Sequence, residues 1–203
     1  MQETLSRPPV PVTCNSGHIS QAKCSITFRC HDRHFRDAVV HDESGNLLFT
    51  LGAKGIFSSW SVRRSLRDAT EKHILDVRHY KSNIKEWIVE DPKGNQLCLV
   101  KDEVAKVEKT TSLHAQVTAE DVVGGQVVIS MKSVDRAGTK TTFDAEGALI
   151  AEMHLIENND ITFLDKRGLD RSAWKIEVAG GVDLALVVAL AYCRAEILHA
   201  WRR

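Results

Sequence analysis

The last segment of the chain restricts its fold more than any other. After Gly180 and Gly181, Asp183 stands before Leu184–Cys193 (LALVVALAYC), ten residues that are apolar on every side of a helix. An aspartate in that position accepts a backbone N–H and starts a helix. A helix without a polar face must be surrounded by protein. The run falls well short of the roughly 20 apolar residues that span a bilayer, and Arg194 and Glu196 follow at once. The segment therefore reads as a core helix from Leu184 to about His199, and no transmembrane span is expected. Its end reads as amphipathic, with Arg194, Glu196, Arg202 and Arg203. The arginines stand where a helix C-terminus favours cations.

What precedes the helix reads as strands. In Cys24–Cys30 (CSITFRC), Cys24, Ile26, Phe28 and Cys30 alternate with Ser25, Thr27 and Arg29. Period-two alternation marks a strand with one buried face. Short apolar stretches continue through Ala38–Val40, Leu47–Leu51, Ile74–Val77, Trp87–Val89, Leu97–Val100, Leu113–Val117, Val127–Met131, Leu149–Leu155, Ile161–Leu164 and Trp174–Val178. Most are too short for helices and rich in β-branched residues. One fully apolar helix after such a series implies a sheet wrapped around it.

The punctuation between the stretches is a repeated turn. Asp-x-x-Gly occurs at Asp42–Gly45, Asp91–Gly94, Asp135–Gly138, Asp144–Gly147 and Asp165–Gly168, and a copy without the glycine at Asp68–Glu71. The aspartate accepts backbone N–H groups just ahead of it, and the glycine takes the positive φ that returns the chain to the ladder through a bulge. The same four letters serve as a switch in GTPases. That reading requires a G-x-x-x-x-G-K-[ST] loop for the phosphates, which the sequence lacks. Ahead of the strands, residues 1–22 carry Pro8, Pro9 and Pro11 and read as a flexible tail; residues 23–203 read as one domain.

These segments also resemble a known family. Val40–Leu51 (VHDESGNLLFTL), Arg63–Asp68 (RRSLRD), Leu75–Arg78 (LDVR) and Trp87–Val89, with Ala148–Met153 (ALIAEM) and Trp174–Leu190 (WKIEVAGGVDLALVVAL), are similar to the LURP-one-related family. Glu71 departs from it, standing where a turn glycine is usual. The family shares the tubby C-terminal-like fold with tubby proteins and phospholipid scramblases. The resemblance implies a mainly β fold for 23–203, a closed antiparallel barrel of about 12 strands around a central hydrophobic C-terminal helix. It brings no catalytic residues with it.

Function is less legible. Lys+Arg and Asp+Glu are both 27 of 203 residues, so the net field gives no reason to expect nucleic acid. Five cysteines without a C-x-x-C pair do not make a disulfide framework. With no apolar leader in the first residues, the expected location is the cytoplasm, the nucleus and the membrane periphery being alternatives. Cys24, Cys30, His31, His34 and His41 offer ligand atoms for zinc, but Cys24 and Cys30 share the apolar face of their strand and read as core thiols. Glu152 and Glu157 read as outward groups on a half-buried strand. Neither a Cys–His pair nor a serine elbow is marked locally. No enzyme, cofactor or metal is expected.

The feature richest in chemistry is basic. Arg63, Arg64, Arg67, Lys72, Arg78, Lys81 and Lys85 fall within 23 residues. If hairpins bring Arg63 and Arg64 beside Lys81 and Lys85, the four form a patch for anionic lipid headgroups, with Trp60 near the interface. The competing reading is a solvated face whose charges protect strand edges. The expected function is therefore a monomeric, non-enzymatic binding or adaptor domain for a phosphoinositide headgroup or a protein partner. A scramblase-like role in lipid handling is the alternative.

Overall fold

The computed structural model describes residues 4–9, 12–14, 16–30, 37–53, 63–80, 83–104, 111–118, 125–158 and 172–200. The expected stretch Ile161–Leu164 and turn Asp165–Gly168 lie outside them. Twelve strands precede one helix: β1 (Cys24–Cys30), β2 (Asp37–Asp42), β3 (Leu47–Ala53), β4 (Arg64–Asp68), β5 (His73–Tyr80), β6 (Asn83–Glu90), β7 (Gln96–Val104), β8 (Thr111–Thr118), β9 (Gln126–Ser133), β10 (Lys140–Ala145), β11 (Ala148–Asn158), β12 (Ser172–Val178) and α1 (Leu184–Ala200). Each strand pairs antiparallel with its neighbours in sequence, and β1 closes the barrel on β12, Phe28 standing opposite Trp174. Closure leaves no sheet edge.

Alternation explains the wall. Ile26, Phe28 and Cys30 of β1, Val127, Ile129 and Met131 of β9, and Trp174, Ile176 and Val178 of β12 are all buried. Against them packs α1, whose residues 185–193 are at most 2% exposed. Its contacts reach separate parts of the wall: Arg194 donates to Thr141 of β10, and Glu196 accepts from Trp87 of β6. The apolar helix is thus the core of the barrel, as its lack of a polar face required.

Three of the expected turns, Asp42–Gly45, Asp68–Glu71 and Asp91–Gly94, close the β2–β3, β4–β5 and β6–β7 hairpins at one end of the barrel, here the turn end. In each, the aspartate accepts from the backbone N–H two and four residues on: Asp42 from Ser44 and Asn46, Asp68 from Thr70 and Lys72, Asp91 from Lys93 and Asn95. The fourth residue is left-handed in all three, at φ 82° in Gly45, 90° in Gly94 and 64° in Glu71. Register shifts beside each turn are the expected bulges.

The described residues ahead of β1 include segments packed against the barrel. Val12 is 1% exposed and bridges Val182, while Ile19 bridges Asp183. The Asp183 carboxylate caps α1 through the N–H of Ala185 (3.0 Å) and also accepts from Thr13 Oγ1 (3.3 Å) and the Cys14 N–H (3.1 Å). One buried acid therefore starts the helix and fastens this strap across the turn end.

Candidate functional site

Adjacent residues of a strand face opposite sides of its sheet, and this separates the two arginines of the expected patch. Arg63 lies on the outer wall. It donates to Asp76 Oδ2 at 2.9 Å and to Glu90 Oε2 at 2.8 Å. Asp76 and Glu90 stand directly opposite each other on β5 and β6, each 4% exposed. Ser65 donates to Asp76 Oδ1 at 2.6 Å, and His73 Nε2 stands 2.9 Å from the same oxygen. Arg78 donates from Nε to Glu90 Oε1 at 2.9 Å and again from its terminal nitrogen. The Glu90 bond holds the Arg78 guanidinium above its ordinary pKa despite burial. Like charges in direct register repel; here guanidinium groups lie across both carboxylates and neutralise them. The arginines of this cluster are committed to its own acids.

Arg64 faces inward and is 2% exposed. It belongs to a polar cluster around the last turns of α1. Glu196 accepts from Trp87 Nε1 at 2.8 Å and stands 3.4 Å from His79 Nε2. Burial acts to raise the Glu196 pKa, but the His79 hydrogen bond and charge, the Trp87 donor and Arg64 outweigh it and lower it. Burial pushes the Tyr192 phenol well up. On the opposite side of α1, Arg194 is wholly buried and donates to Thr141 Oγ1 at 3.1 Å and to Ser133 Oγ. Burial brings its pKa down to about 10. Arg194 is thus inside rather than on a turn meeting water, because the barrel wall extends past it; Arg202 and Arg203 lie outside the described residues.

Lys85 is exposed at the same end of the barrel. Glu86 pairs with Lys101, which sets Lys85 opposite Asp102. Both carboxylate oxygens of Asp102 are shielded and have no hydrogen-bond partner among the described residues. Burial raises its pKa, while Lys85 and Arg194 act in the other direction. Lys81 and Trp60 lie outside the described residues. The four expected cations therefore do not share one surface in the described part: Arg63 is outside and ion-paired, Arg64 is inside, and Lys85 is at the barrel mouth.

The inner cluster was missed in the sequence although a signal exists. His79 has the same parity in β5 as Leu75 and Val77, and Trp87 the same as Val89 in β6, so both fall on the buried face. Tyr192 and Glu196 are four apart and share a side of α1.

The expected thiols and ligands can also be placed. Cys30 is buried and Cys24 partly so. Burial pushes the Cys98 thiol up to about 12 and the Cys193 thiol well up. Among the described residues no group of three or more His, Cys, Asp or Glu is arranged to hold a metal ion; His31 and His34 lie outside. Glu152 is an outward group that pairs with Lys140 at 3.2 Å. A groove of about 280 Å³ lies on the outer wall of β2–β4, with Gly52 in its lining.

A family model for LURP-one-related proteins matches residues 25–195. The chain belongs to the LURP-one-related family. The match runs from β1 into the last turns of α1, so the family's extent is the barrel together with its core helix. Among solved structures, the X-ray structure of a protein from Arabidopsis thaliana matches with a TM-score of 0.62 at 17% identity, covering 96% of this chain and 100% of that one. At that identity the likeness concerns the fold. No curated protein matches the chain. Among the described residues no helix of this LURP-one-related chain is long and apolar enough to cross a membrane.

Proposed function

We propose that this LURP-one-related chain is a non-enzymatic adaptor domain of tubby C-terminal-like architecture that binds a protein partner on its outer wall. The observation that carries the reading is the placement of α1. The helix fills the barrel from the strap to Arg194, with residues 185–193 at most 2% exposed, so recognition falls to outward side chains and loops. The outer wall offers a groove on β2–β4, and rigid strands are better platforms for a recognition surface than loops.

A protein is favoured over a phosphoinositide because Arg63 and Arg78 are already paired with Asp76 and Glu90 and Arg64 is buried. A scramblase-like role would need α1 to leave the barrel and expose its apolar surface to lipid, at a large hydrophobic cost in water.

The test is co-sedimentation of the purified chain with neutral vesicles and with vesicles carrying a few per cent phosphatidylinositol bisphosphate, beside affinity capture of protein partners. The adaptor reading expects no lipid-dependent pelleting and a saturable protein interaction. Pelleting that requires the charged lipid and is lost in Lys81→Glu/Lys85→Glu would replace it with phosphoinositide binding. Pelleting with neutral vesicles, abolished by a charge at Leu186 without unfolding, would favour the scramblase-like role.

A further inference from the structure

Cross-strand register makes one row of the outer wall continuous. Asp37 stands opposite Gly52, Gly52 opposite Ser65, Ser65 opposite Asp76, and Asp76 opposite Glu90. At one end of this row Arg63 lies over the two carboxylates and donates to both. At the other end stands Asp37, which is exposed and has no ion-pair partner among the described residues.

Between the two ends the row lacks a side chain. Glycine inside a strand weakens it and often marks a bulge, a bend or a close approach by something else. Gly52 is not at a bulge, since its pairing with Asp37 and Ser65 runs without a register shift. Nor does it adopt a positive φ, and among the described residues a Cβ there would meet only Asp37 Oδ1, at 3.6 Å. Neither the backbone nor packing among the described residues requires the glycine. Its effect is to open the groove bounded by Asp37, Thr50, Ser65 and Arg67. The groove's volume of about 280 Å³ is just under the roughly 300–1,000 Å³ usual for small-molecule sites, which suits one protruding side chain. The cation within the groove's own lining is turned aside: Arg67 donates to the Glu71 carbonyl at 2.9 Å.

We propose that the groove over Gly52 receives an arginine side chain of a protein partner, its guanidinium on Asp37 as that of Arg63 lies on Asp76 and Glu90. A planar guanidinium matches a carboxylate in bidentate fashion and buries more readily than an ammonium. The inference rests on the adaptor reading and names the chemistry of its site.

The experiment follows backbone amide resonances of the full ¹⁵N-labelled chain during titration with N-acetyl-arginine amide. The uncharged N-acetyl-citrulline amide is the control. Saturable shifts centred on Gly52, Thr50 and Ser65 are expected with the arginine probe, and affinity at least about tenfold weaker for citrulline, the loss of one charge-assisted contact of about 1.4 kcal/mol. Asp37→Asn and Gly52→Val should each abolish the shifts. Valine suits a strand, so an otherwise unchanged spectrum separates a blocked groove from a damaged fold. No saturable shift at Gly52, or equal binding by Asp37→Asn, overturns the inference. If a protein partner is still captured in that case, the adaptor reading stands and only the arginine site fails.

Discussion

Replacing Glu71 with glycine should stabilise the protein. Three hairpin turns at the turn end share one geometry, and two of them place glycine at the left-handed position. Glu71 occupies it at φ 64°, where a side chain costs roughly 1–2 kcal/mol. Its backbone oxygen accepts from Arg67, and its N–H donates to the Asp68 carbonyl at 3.0 Å; glycine keeps both. The offset is the larger conformational freedom that glycine gives the unfolded chain, about 0.4–1 kcal/mol. The net gain is therefore about 0.5–1 kcal/mol, or roughly 1–4 °C in Tm for a chain of this size. Gly94→Ala is the mirror experiment. No atom of the described residues lies within 4 Å of the added Cβ, so its loss of about 1 kcal/mol reflects φ. Urea denaturation of the two variants beside the parent measures both. A Glu71→Gly variant less stable than the parent, with Gly94→Ala neutral, would refute the argument that backbone strain separates these turns.

Other expectations follow from buried polar groups. Asp102 is held in its protonated form to a higher pH in the folded protein than in the unfolded chain. The folded state then binds more protons, so this group's contribution falls as pH rises from its unfolded value toward its raised folded one. Asp102→Asn should consequently gain stability relative to the parent as pH rises above the ordinary carboxylate value of about 4. Urea midpoints with a constant difference across that range would contradict this. Asp183→Ala removes the helix cap and the strap's acceptor together. It should cost at least about 2 kcal/mol and open residues 12–14 to limited proteolysis, whereas a variant cleaved no faster than the parent would show the strap held by other contacts. Arg194→Ala leaves a cavity and should cost about 2–5 kcal/mol, while Arg194→Met fills the space without a buried charge and should fall within about 1 kcal/mol of the parent. Equal losses in the two thermal melts would mean that the guanidinium bonds to Thr141 and Ser133 carry the site.

Much of the architecture was legible because its physics is local. Period-two alternation set which residues of β1 and β12 face inward, since side chains of a strand alternate whatever it pairs with. An aspartate followed by a left-handed residue closes the same hairpin at Asp42, Asp68 and Asp91, with or without glycine. An apolar helix with no polar face had to become a core. What depended on register and curvature could not be read. Arg63 and Arg64 are neighbours in sequence and looked like one patch, yet the pleat sends one outward to Asp76 and Glu90 and the other inward toward Glu196. Those two carboxylates are 14 residues apart in the chain and meet only because β5 and β6 pair in that register. Arg194 looked solvated because a cation near a helix terminus usually is; the barrel wall beyond it, at Ser133 and Thr141, decided otherwise. The strap was hidden for the same reason. Prolines say nothing of an anchor, and the one at Asp183 lies about 170 residues away; only closure of the barrel brings the two together.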